Sequence, residues 1–178
     1  MTPAEVSRVS MPPEPAEAAE PDEPTEAPDD EFRLDLLTLA EWALIGPDGR
    51  ITLGNAVTTA VRVAAVPGGL PTLYLAASVA APPAWAGNQA QLAVRVLDTT
   101  GRPVGADPLV SGTAAFPAPA EDGPTAPRLQ FALQLTGLPI QSPGRLRFVL
   151  SLAGDELGEV GLEVRLAAPP ATPAKPTS

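Results

Sequence analysis

The first stretch that could do chemistry is WALIGPDGRITLGNAV, residues 42–57, where three glycines, a Pro-Asp-Gly and an arginine stand between apolar runs. A phosphate-binding loop requires GxxxxGK[ST] between a buried strand and a helix, and a dinucleotide loop requires GxGxxG opening a helix. Gly46, Gly49 and Gly54 have neither spacing, no lysine follows them, and the intervening ITL is strand-forming. Pro47 and Asp48 instead suit the central positions of a type I turn, with Gly49 in the left-handed conformation that closes it in a bulge. DTTGRPVG, residues 98–105, repeats this chemistry, with Asp98, Thr99, Thr100 and Gly101 turning the chain. Both stretches read as hairpin turns.

The remaining polar candidates are sparse. Asp155, Glu156 and Glu159 lie together in the last hairpin but lack the DxDxDG spacing of a calcium loop, so they read as a solvated turn. The loop FPAPAEDGPTAP, residues 116–127, is the longest irregular piece and offers Glu121 and Asp122 as contact residues. Trp85 follows Pro82 and Pro83 and precedes Gly87, which places it in a loop or at a sheet edge. It either plugs the open end of a β-structure or anchors a partner, as exposed tryptophans do. Alternation assigns most other aromatics to the core. Trp85, Glu121 and Asp122 are therefore the candidate partner or ligand contacts.

Composition excludes much else. The chain has no cysteine and no histidine, and its one lysine, Lys175, lies near the C-terminus. Ser-His-Asp and Cys-His nucleophile systems, ordinary zinc sites and a Lys Schiff base in the body are thereby removed. No catalytic residue, metal or cofactor is expected, and an acid-dependent hydrolase built on paired carboxylates is the weakest of three readings. Residues 1–31 hold ten acids and one arginine, which accounts for −9 of the net charge of −10. The rest is nearly neutral and offers no basic footprint for nucleic acid. The N-terminus lacks the apolar region of a secretory signal, and no run reaches the roughly 18 apolar residues of a membrane span. The expectation is a soluble, cytoplasmic protein. Its preference for Arg over Lys, with abundant Ala and Pro, reads as GC-rich bacterial coding.

These candidates must be positioned by the body of the chain, and its periodicity is two. Leu129, Phe131, Leu133 and Leu135 fall on one face, as do Leu146, Phe148, Leu150 and Leu152. Val160, Leu162, Val164 and Leu166 do the same, as do Leu92, Val94 and Val96. That is the pattern of strands with one buried and one wet face. Strands are expected at about 34–45, 50–57, 72–81, 88–98, 108–116, 128–137, 144–153 and 157–166. The run LLTLAEWAL in the first has helical propensity as well. The last two runs, joined by GDELG, form the best-supported hairpin. The fold class is all-β, a seven- to eight-stranded antiparallel β-sandwich, Ig-like or jelly-roll-like. Three regions follow. Residues 1–31 are a Pro-, Glu- and Ala-rich tail expected to be disordered, 32–168 the sandwich, and 169–178 a short Pro-rich tail.

The segments LAEWALIGPDGRITLGNAV, LDTTGRPVG and SPGRLRFVLSLAGDELGEVGLEVRL resemble a family of small bacterial β-sandwich proteins known only as a domain of unknown function, over about residues 34–166. Members have a glycine turn followed by an LGG-like segment, and end in PG-x-Y/F-x-F-x-L and a final strand. This chain departs from that pattern at Gly54 and Asn55 and at Arg147 and Phe148. The resemblance implies the fold and attaches no activity. The sequence therefore points to a non-catalytic interaction or accessory module that binds an unknown protein partner or self-associates through a sheet edge. The alternative is a small-ligand or carbohydrate-binding sandwich using Trp85 and the 116–127 loop.

Overall fold

The computed structural model describes residues 31–56, 58–118 and 126–168. The expectations for residues 1–30, for Glu121 and Asp122 and for the C-terminal tail lie outside the described residues. The chain is all-β, with curled multi-stranded sheets and no α-helix among the described residues. The strands are β1 (Arg33–Ala40), β2 (Trp42–Ile45), β3 (Ile51–Gly54), β4 (Ala60–Val63), β5 (Gly68–Gly69) and β6 (Leu73–Ala80). After a 3-10 turn at Pro83–Trp85 come β7 (Gln89–Leu97), β8 (Val110–Ala115), β9 (Arg128–Leu135), β10 (Pro139–Ile140), β11 (Gly144–Leu152) and β12 (Asp155–Leu166). One sheet has the order β1-β6-β9 and the other β4-β12-β11-β7-β8, with β2-β3 and β5-β10 as separate two-stranded pairs.

Both large sheets turn their apolar rows into one core. Leu39, Leu75 and Val79 meet Val94, Val96, Phe148, Leu150 and Leu162, all almost wholly enclosed. Each such side chain contributes about 1.5–3 kcal/mol relative to leaving it in water, so strict alternation fixes which way every strand faces. β1 lies against β12, where Leu34 sits over Gly158 so closely that a Cβ there would come within 2.7 Å of it. Consecutive residues tie the sheets together at this side. The N–H of Thr58 donates to Leu39 O at 3.0 Å, while Thr59 O accepts from Glu163 N at 2.8 Å.

Several expectations are corrected. The run 34–45 is two strands, because the chain bends at Glu41 and β2 leaves β6 to pair with β3. Its helical alternative is not adopted. The bend gives the two halves of the run different neighbours, β6 for the first and β3 for the second. The sheets are not wholly antiparallel, since β4 runs parallel to β12, pairing Val63 with Leu166. The tight turn of the last hairpin is Ala153 and Gly154, both with positive φ (54° and 99°). That is the geometry two-residue hairpin turns need, and it moves Asp155 and Glu156 from the turn into β12. Leu166 ends β12 exposed instead of buried.

Candidate functional site

The GPDG stretch has the predicted turn. Gly49 N donates to Gly46 O at 2.9 Å, Gly46 N donates to Arg50 O at 2.9 Å, and Gly49 has φ 74°. At 98–102 the same pair of bonds recurs, Gly101 N to Asp98 O at 3.0 Å and Asp98 N to Arg102 O at 2.9 Å. There the Thr100 hydroxyl donates to Asp98 at 2.7 Å, and with the N–H of Arg102 it holds the Asp98 carboxyl below its ordinary value. These acids are occupied in shaping turns.

What the first turn builds is an apolar tongue. Cross-strand pairing sets Trp42 opposite Gly54 and Leu44 opposite Thr52 on one face, with Ala43, Ile45, Ile51 and Leu53 on the other. The second face lies toward β6 and β9, where Ala76 is wholly buried although it points away from the main core. The first face looks outward, leaving Trp42 49% and Leu44 62% exposed, and Ile45 at the end of β2 is 38% exposed. Alternation alone assigns the aromatics other than Trp85 largely to the core, and Trp42 departs from that expectation. The bend at Glu41 rotates it out. A Cβ on Gly54 would fall inside the Trp42 indole, so the ring rests flat on the glycine backbone with its other side open. At the base of the tongue Asn55 Nδ2 donates to Glu41 Oε2 at 2.5 Å.

Trp85 lies at the end of the molecule where β1 and β9 begin and β6 finishes. Its ring centroid is 5.1 Å from Phe32 and 6.1 Å from Phe116, and the two phenylalanines stack at 5.9 Å. The loop is fixed by Trp85 N donating to Pro82 O and Asn88 N donating to Trp85 O, both at 2.9 Å. Beside this triad is a cleft of about 670 Å3 in which Glu31, Asp155 and Glu156 join Phe32, Trp85 and Leu157. The acidic trio of the last hairpin is thus divided, because Glu159 faces elsewhere and accepts from Arg147 at 3.0 Å. Among the described residues, no three His, Cys, Asp or Glu side chains converge to hold a metal ion. None of their helices is long and apolar enough to cross a membrane.

On the wet face of the five-stranded sheet, Arg95, Arg147 and Arg165 are paired with carboxylates, while Arg62 and Arg145 make no ion pair with a described residue. Arg95 donates to both oxygens of Asp107 at 2.9 and 3.3 Å, which raises the Arg95 pKa further, and Arg165 donates to Glu163 at 2.6 Å, which lowers the Glu163 pKa. Water screens such exposed pairs, so they add little to stability.

No curated protein matches the chain. Among solved structures, it is similar to a Pseudomonas fluorescens alkylpurine DNA glycosylase, AlkC, bound to DNA containing an abasic site analogue, at 12% identity and a TM-score of 0.40. That match covers 76% of this chain and spans only 31% of the glycosylase chain, too distant a likeness to bear on fold or function. A family model, by contrast, matches residues 35–165, from β1 to the end of β12. The chain belongs to a family of unknown function, DUF6941.

Proposed function

We propose that the chain is a non-catalytic β-sandwich of the bacterial cytoplasm, a protein-interaction or accessory module that docks a protein partner on the outward face of the β2-β3 tongue. One observation carries the reading. Of the four large hydrophobics exposed among the described residues, Trp42 and Leu44 stand together on the outward face of one four-residue strand, and Ile45 ends that strand on its other face. Isolated exposed apolar residues are ordinary, whereas a concentrated patch marks a contact site. Trp42 is also held flat on Gly54, so it loses little freedom when covered, which suits a hot-spot residue. Arg95, Arg147 and Arg165 are each engaged by a carboxylate, and this argues against a nucleic-acid partner. The test is a photo-crosslinking amino acid placed at Leu44 or, as control, at Thr99 in the native organism. A discrete hetero-adduct from Leu44 alone, lost on Trp42→Ala, is expected; equal labelling from both positions refutes the reading.

A second reading, a small-ligand or carbohydrate-binding sandwich, is favoured by the cleft that joins Trp85 and Phe32 to Glu31, Asp155 and Glu156. This reading also invokes Glu121 and Asp122 of the 116–127 loop, which lie outside the described residues. With Trp42 replaced by Phe, Trp85 is the sole indole, and saturable quenching by oligosaccharides below about 10 mM supports this reading, while its absence removes it.

A further inference from the structure

Four strands bound the two large sheets, β1 and β9 in one and β4 and β8 in the other. An open edge is a template for another strand, and proteins blunt such edges with charges, prolines, bulges, short strands or cover. Three of these four edges are blunted. β1 bulges between Leu34 and Leu36, and Asp35 in the bulge is clamped by Arg33 at 3.0 Å and Arg128 at 2.7 Å. β4 is only four residues long and carries Arg62. β9 opens with Arg128, a charge at the edge, and β2 and β3 lie against one of its faces. Along 111–115, β8 shows none of these devices among the described residues. Its residues Val110, Ser111, Gly112, Thr113, Ala114 and Ala115 include no charge and no proline, and 111–113 are exposed.

The direction of its free groups follows from the ladder. Val110, Gly112 and Ala114 stand opposite Val94, Leu92 and Ala90 of β7, and the series continues where Phe116 N donates to Asn88 O at 2.9 Å. In an antiparallel ladder, alternate residues point their N–H and C=O to opposite sides. Those of Ser111, Thr113 and Ala115 therefore point away from β7, to the open edge.

We propose that a second copy of the chain adds to this edge, β8 against β8 and antiparallel, about a twofold axis through Thr113. In this register Thr113 faces Thr113 of the other copy, and Ser111 of each faces Ala115 of the other. All the outward groups then pair at once, giving about six inter-chain hydrogen bonds. The strand is compatible with its own reverse. No charge meets its like, the central Thr–Thr pair is a favourable cross-strand neighbour, and the small side chains at 111–115 clear one another. A foreign strand would need a charge or pocket beside the edge to select it. Among the described residues, Arg95 on the neighbouring strand and Asp107 just before β8 are already paired with each other. A six-residue edge buries less than a standard interface, so the dimer is weak and concentration-dependent.

The test is sedimentation equilibrium of the full chain up to about 1 mM, where the mass should rise from 18.2 kDa toward twice that value. Thr113→Lys sets two ammonium groups at the axis and should weaken association about tenfold or more. The register is checked by Ser111→Lys combined with Ala115→Glu, which should dimerise, against Ser111→Lys combined with Ala115→Lys, which should not. Because the chain has no cysteine, Thr113→Cys supplies the only thiol, and mild oxidation should yield a covalent dimer that Thr99→Cys does not. Circular dichroism confirms that each variant is folded, and the oxidation result stands if a charged variant is not. A wild-type chain that stays at 18.2 kDa throughout, or equal association of the two double variants, overturns the proposal.

Discussion

The hairpins β2-β3 and β11-β12 are written in the same alphabet and end in opposite circumstances. β11-β12 is flanked by β7 and β4, so one face of it enters the core through Phe148, Leu150, Leu162 and Val164. Its other face is balanced by pairs such as Arg147 with Glu159. β2-β3 has no neighbour in a larger sheet and is apolar on both faces, one lying toward β6 and β9 and the other in water. Apolar residues are informative according to whether a neighbouring element already covers them. Where none does, the surplus hydrophobicity stays in water, and the proposed docking rests on that property of the tongue.

Substitutions can break this comparison, and the largest effect belongs in β11. Leu150→Ala removes a fully enclosed side chain and should cost about 2–5 kcal/mol in urea unfolding monitored by circular dichroism, since the site is packed on all sides. A neutral result would place the core elsewhere. Gly54→Ala comes next. Its Cβ displaces the Trp42 indole, and the expected cost is about 1 kcal/mol, accompanied by a red shift of tryptophan emission in a Trp85→Phe background. An unchanged spectrum would mean that the ring does not rest on the glycine. The smallest change is Leu44→Ser, which should alter stability by no more than about 0.5 kcal/mol while reducing crosslinking through the tongue. If it unfolds the protein, the outer face of β2 is structural and the contrast between the two hairpins collapses.

Local signals were legible in the sequence, and long-range ones were not. The turn at Gly46, Pro47, Asp48 and Gly49 and its twin at Asp98 could be read because each is set by a few adjacent residues. The buried rows of β7, β9 and β11 could be read because period-two alternation survives any sheet order. β4 was missed. Its sequence AVRV is short, and it becomes a strand only by pairing in parallel with β12, about a hundred residues away. The bend at Glu41 escaped for a related reason, since the sequence shows an apolar run and not where its neighbours change. Trp42 was therefore grouped with the aromatics that alternation assigns largely to the core, whereas Trp85 was placed correctly in a loop without its contacts to Phe32 and Phe116 being visible.

By itself the sequence determined the all-β character, the inward face of most strands and the turn chemistry, because alternation and glycine placement act over a few residues. Tertiary structure alone decided which strands stand at edges, that Trp42 lies open on Gly54, and that Asp155 and Glu156 share a cleft with Trp85. Those outcomes depend on contacts between residues far apart in the chain, and exposure is defined only once every neighbour is in place.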